Sequence, residues 1–145
     1  MPVTNGFTVG RDVLIDVYTS SGPLRLPATT TGFDAKPQYK SITSHGLDGI
    51  NRFAELPSGW TGTIQMDRSD DTIDAFFAQA EADYYAGIAV QPATITETIS
   101  EADGSTSQYR YTGVVFRFDD AGNKRGDDKV AQSFSWSASK RLKVL

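Results

Sequence analysis

The chain has 145 residues, no cysteine, one histidine and a formal net charge of −4, with 39% hydrophobic and 22% charged residues. One domain of this length buries roughly two-thirds of its unfolded surface, so its core needs neither disulfides nor a metal. Without cysteine there is no disulfide framework, thiol nucleophile, Cys-bearing zinc site or iron–sulfur cluster, the lone His45 rules out any two-histidine site, and the acidic balance leaves no basic footprint for tight duplex binding.

The N-terminus, Met1 to Phe7, has neither the cationic region nor the apolar run of a signal peptide. No stretch approaches the ~20 apolar residues of a membrane helix. The expectation is a soluble, cytosolically made single domain, 1–145, without membrane anchoring.

Val13 to Tyr18 is a β-branched apolar run closed by the turn cluster Ser20-Ser21-Gly22-Pro23. A second extended segment, about Thr29 to Ser44, is rich in Thr and contains Pro37, which suits an edge or a bend. Gly46 to Ser58 shows no sustained period and reads as a long loop. Alternation resumes from Trp60 to Arg68, with Trp60, Gly62, Ile64 and Met66 on one side and Thr61, Thr63, Gln65 and Asp67 on the other.

A helix is predicted over about 71–86. Ser69 or Asp70 can accept from its first free N–H groups, and Ile73, Phe76, Phe77, Ala80 and Tyr84 form one apolar stripe. Gly87 supplies the stop. Residues 93–101 and 106–119 then read as strands around a hairpin turn at Asp103-Gly104. In a final strand Val130, Gln132, Phe134, Trp136 and Ala138 oppose Ala131, Ser133, Ser135 and Ser137. The fold class is mainly β: an antiparallel β-sandwich or barrel with one flanking α-helix.

Chemical motifs are sparse. Neither phosphate-binding glycine pattern occurs. The doublets Asp70-Asp71, Asp119-Asp120 and Asp127-Asp128 are read as solvated turns and a helix cap, because Lys124 stands where a calcium loop starting at Asp119 needs glycine. Arg125-Gly126-Asp127 matches a three-residue adhesion motif too short to carry weight. His45, beside Gly46 and Asp48, lacks a visible nucleophile or oxyanion site, so no catalytic residue, cofactor or metal is expected. What stands out is hydroxyl: Thr29-Thr30-Thr31, Thr94/Thr96/Thr98 and Ser133/Ser135/Ser137. Such rows are either the wet side of a half-buried sheet or a wall that a polyanion passes without sticking.

An arm ending in Thr8-Val9-Gly10-Arg11-Asp12, a strand, a long loop, the strand Gly59-Trp60-Thr61-Gly62-Thr63-Ile64, one helix, a Thr-rich hairpin and a closing Ser-Phe-Ser-Trp-Ser strand together resemble the tail tube proteins of tailed bacteriophages, nearest to contractile tails. The resemblance spans nearly the whole chain and rests on the order of elements. It implies a structural virion protein, assembled in the bacterial host cytoplasm into stacked hexameric rings whose sheets join in an inner β-barrel. Its partners would be further copies, sheath, tape-measure, baseplate and tail-terminator proteins, with DNA passing through during ejection. It also implies inter-subunit contacts from the arm, 1–10, and the loop, about 42–58. The residues singled out there are Val3, Phe7, Val9, Arg11, Ile50, Arg52, Phe53 and Leu56, although Phe53 and Leu56 could equally pack on their own core.

Residues 70–86 hold Asp70, Asp71, Asp74, Glu81 and Asp83 without Lys or Arg, leaving the remainder close to neutral. On the tube reading, Asp74, Glu81 and Asp83 form an outward acidic helix face that meets a basic sheath surface. Two rivals remain: the inner-tube subunit of a bacterial contractile secretion or injection system, and a monomeric carbohydrate-binding β-sandwich using Trp60, Trp136, Tyr109 and Tyr111 as platforms.

Overall fold

The computed structural model describes residues 7, 9–26 and 29–144. Eight antiparallel strands appear among them: β1 (Val13–Thr19), β2 (Gly22–Leu24), β3 (Thr30–His45), β4 (Asn51–Asp67), β5 (Ala93–Ser100), β6 (Thr106–Asp120), β7 (Ala131–Ala138) and β8 (Lys140–Lys143), with helix α1 (Thr72–Tyr85) between β4 and β5. Their hydrogen-bonded order is β2-β1-β5-β6-β7-β4-β3, and β8 also pairs with β6.

β6 makes this one path into two layers. Its first half pairs with β5 and β8, its second half, from Val115, with β7. The bend falls at Gly113, whose φ of +65° and contact with the Ser139 side chain leave no room for a Cβ. Opposite it, Ser139 interrupts the β7–β8 run and donates its N–H to Thr112. The layers close on Val17 and Ile95 from one side and Ile64, Met66, Phe134 and Trp136 from the other, with Tyr111 and Val114 between them. The sheet is thus a rolled sandwich, as the alternation of Trp60–Asp67 and Val130–Ala138 requires.

Helix α1 packs its stripe on this core. Phe77 stacks on Phe118 with ring centroids 4.6 Å apart, and Phe76 meets Phe116 edge-on at 5.9 Å. Asp70 accepts from Thr72 N at the start, and at the end Gly87 N–H reaches Tyr84 O while Ile88 N–H reaches Asp83 O, a Schellman stop. The stripe stops before Tyr84, which is exposed and meets only the ring of Tyr85 among the described aromatic side chains. No helix among the described residues is long and apolar enough to cross a membrane.

One expectation is overturned. Residues 42–58 are not a long loop: β3 runs on to His45 and β4 begins at Asn51, joined by a turn at Gly46–Ile50. Its mixed composition hid the strands because neither face of this stretch is buried, so no apolar alternation was selected. Short β8 was missed because four charged and apolar residues carry no period.

Candidate assembly surfaces

The β3–β4 hairpin is the most conspicuous surface. β7 accompanies β4 only from Trp60 to Asp67, so among the described residues Tyr39–His45 and Asn51–Pro57 pair with one another alone. A register shift between Pro37 and Tyr39 marks where the arm leaves the body, and from there it extends roughly 20 Å. Polar rungs hold it: Ser41 donates to Glu55 at 2.8 Å, His45 Nδ1 lies 2.6 Å from Asn51 Oδ1, and Arg52 pairs with Asp48 at 3.0 Å. The Ile50 N–H and then Arg52 hold the Asp48 carboxyl below the usual carboxylate range.

Both faces of the arm are exposed. Residues directly opposite share a face, so Tyr39, Thr43, Phe53 and Pro57 lie on one side and Lys40, Ile42, Arg52, Ala54 and Leu56 on the other. Phe53 is 73% exposed, Ile50 55% and Leu56 45%, and Leu47 at the tip is fully exposed. Phe53 and Leu56 therefore do not pack on their own core. A two-stranded ribbon carrying this much apolar surface is marginal by itself.

Of the arm residues, Val3 lies outside the described residues, as does the side chain of Arg11. Phe7 is exposed and Val9 half-buried. Val9 N–H donates to Asp12 Oδ2 at 3.0 Å, and Asp12 N–H returns a bond to Val9 O at 2.9 Å.

The second surface is the outer face of β3-β4-β7-β6. Thr61 stands opposite Ser137, Thr63 opposite Ser135 and Gln65 opposite Ser133, giving a continuous field of neutral hydroxyls and amide. Its charges are compensated locally: Lys36 lies 3.6 Å from Asp34 and Arg117 2.9 Å from Asp119. The Ser135 hydroxyl, then Arg117, hold Asp119 below the usual carboxylate range. The Thr94/Thr96/Thr98 row is not part of this wall. It belongs to the other layer, where Thr96 is buried between Asp16 and Arg110.

The acidic helix face also needs correction. Asp74 is turned to the body, paired with Arg68 at 2.7 Å and accepting from Gln132 at 3.0 Å. Asp74 and Glu81 lie on the flank near Phe118, whereas Asp83 borders the opposite cleft with Thr19 and Phe116. The outward stripe is instead Ala75, Ala78, Gln79 and Ala82. Carboxylates at these spacings straddle a helix rather than share one side.

The aromatic platform of the carbohydrate rival is dismantled by burial. Trp136 and Tyr111 are almost wholly buried. Arg141, which sequence reasoning passed over, stacks its guanidinium over Tyr109 at 3.8 Å and Trp60 at 4.8 Å, and lies 3.8 Å from Glu97. Burial, then the nearby Glu97 charge, raise the Tyr111 phenol to about 12. These rings clamp the two layers together.

No family model matches the sequence, and no curated protein matches it. Solved structures do. A chain of the anti-feeding prophage tube-terminating cap superposes with a TM-score of 0.65 over 97% of this chain and 93% of its own, at 7% identity. A chain of the sheath–tube complex of the PVC extracellular contractile injection system gives 0.57, covering 89% and 86%, at 12% identity. The SPP1 tail tube also gives 0.57, covering 94% of this chain and 78% of its own, at 12% identity. With its antiparallel layers and single helix, the chain has the tail-tube fold, the fold shared by tube and tube-terminating components of phage-like particles.

Proposed function

We infer that the chain is a non-enzymatic tube or tube-terminating subunit of a phage tail or a related contractile injection particle. The observation that carries this reading is the projecting β3–β4 hairpin, which bears exposed apolar side chains on both faces and pairs with no other strand among the described residues, on a body of tail-tube fold. An exposed arm of this kind is a liability in a monomer and a contact in a stack.

Hexameric rings are the expected unit, supported by the six-fold symmetry of two structural relatives, the anti-feeding prophage baseplate and the tail of an empty GTA particle. Head-to-tail contacts that close on themselves give such a ring. The four-stranded layer faces the lumen, where its hydroxyls and self-paired charges present no unneutralised cation to a passing polyanion such as DNA. The helix then lies on the outside, with Glu81 and the Ala75–Ala82 stripe available to a sheath subunit. The arm, 1–10, joins the contacts between subunits, and the location is the particle itself, with tape-measure, baseplate and terminator proteins as its other partners.

The test is a chain in which residues 41–55 are replaced by a two-residue turn, compared with the intact protein by sedimentation velocity. The intact chain should form large particles under conditions where the shortened one stays small and folded. Equal assembly by both would refute the role of the β3–β4 hairpin.

A further inference from the structure

The four-stranded layer ends in two open edges. β3 meets only β4, and β6, after leaving β5 at Val114, meets only β7 from Val115 to Asp120 among the described residues. Each edge strand carries one cation and one carboxylate two residues apart on the hydroxyl face, Lys36 with Asp34 and Arg117 with Asp119. Lys36, Asp34 and Arg117 are exposed and their pairing is weak, while Asp119 is also held by the Ser135 hydroxyl, which fixes its carboxylate on this face beside the edge. Directly opposite residues form level rows across the layer: Asp34–Thr63–Ser135–Arg117, and Lys36–Thr61–Ser137–Val115.

Resting on the tube reading, the geometry points to one seam between copies: β6 of one subunit adds to the β3 edge of the next with Asp119 opposite Lys36. An odd slip would turn the hydroxyl face outwards, so only even slips qualify. A level seam sets Arg117 opposite Asp34 but leaves the strands upright, whereas a closed barrel needs tilted, staggered strands. A slip of two sets Arg117 opposite Lys36 and Asp119 opposite Asp34, like charges at both places. A slip of four brings Asp119 to Lys36. The register shift between Phe118 and Asp120 takes up part of that slip, which leaves slightly less than one residue per strand across four strands, close to the ratio that tilts strands by about 36° in an eight-stranded barrel of shear eight.

Handedness selects the same direction. Asp67, on the hydroxyl face by alternation, donates its N–H to Thr29 on the β3 side. Seen from that face with β4 running upwards, β3 therefore lies to the right. With this face turned inwards, the right-handed strand twist makes each row climb from β6 towards β3. The row then meets the next copy beyond Arg117, towards Asp119. Pro37 falls opposite Phe118, where it costs the seam one ladder hydrogen bond.

Because the chain has no native cysteine, cross-linking reads this register directly. Oxidised assemblies of the Lys36→Cys/Asp119→Cys chain should give a ladder of multimers on a non-reducing gel, since facing Cβ atoms lie within disulfide reach. The Asp34→Cys/Arg117→Cys chain should give none. Cross-linking of that second pair in assembled particles would overturn the register and leave the tube reading standing. A wild-type chain that stays monomeric removes both. Independently, Lys36→Asp should lose assembly and Lys36→Asp/Asp119→Lys should regain it; a folded double variant that stays unassembled overturns the pairing.

Discussion

Replacing Phe53 by Ser separates assembly from folding. The side chain is 73% exposed and stands opposite Thr43 on a hairpin that pairs with no other strand among the described residues. Fully burying a Phe is worth about 1.5–3 kcal/mol, so covering the exposed three-quarters contributes about 1–2 kcal/mol at each contact. That changes the association constant about tenfold per subunit added. The isolated chain loses far less, because substitutions at exposed sites usually stay within about 0.5 kcal/mol. Pelleting across a concentration series should show the critical concentration rising about tenfold, while the melting midpoint of the unassembled chain moves by no more than about 2 °C. A large fall in the midpoint with an unchanged critical concentration would place Phe53 inside its own fold and refute the reasoning.

Other outcomes follow from the same structure. Phe134→Ala empties a fully buried site touching Phe77 and Phe116 and should cost about 3–5 kcal/mol in urea unfolding. Tyr111, raised to about 12 from 10.0, stabilises the fold fully below pH ~10, and that contribution drains away as pH rises through its folded pKa. Alkaline unfolding should therefore begin near pH ~10, and the Tyr111→Phe chain should lose this component. Ser135→Ala should raise the Asp119 pKa towards 3.8 in an NMR titration, weakening a contribution that is present above the unfolded pKa and lost as pH falls through the folded one. Asp74→Ala should cost about 1 kcal/mol by removing one of the two acceptors of the Gln132 amide and the partner of Arg68, whereas Glu81→Lys should spare the melting midpoint and weaken binding to a basic sheath surface.

The sequence exposed the elements whose two faces differ. In β7, Phe134 and Trp136 are buried while Ser133, Ser135 and Ser137 face outwards, so a period of two was written plainly. The α1 stripe was legible through Phe76 and Phe77 for the same reason. The hairpin was not, because residues 39–45 and 51–57 meet solvent on both faces in the single chain and no burial pattern marks them. Arg141 was invisible because its place among Trp60, Tyr109 and Glu97 joins three separate stretches of chain. The hydroxyl wall was half legible: the Ser row was recognised, but its neighbour across the sheet is Thr61 and Thr63, and only the β4–β7 register establishes that.

Asp74 shows how charge counting misplaces a surface. The carboxylates of residues 70–86 make the helix acidic in sum, yet Asp74 braces the helix against Arg68 and Gln132 and Asp83 lies on the far flank. Net charge reports solubility; the side a charge faces is decided by packing.

Negative-stain imaging of the purified chain, over a concentration series and with sheath and baseplate partners added, shows whether it builds a tube. Hollow rings or stacked tubes, lost on removal of the β3–β4 arm, are the predicted result. A chain that remains a monomer under every one of these conditions would contradict it.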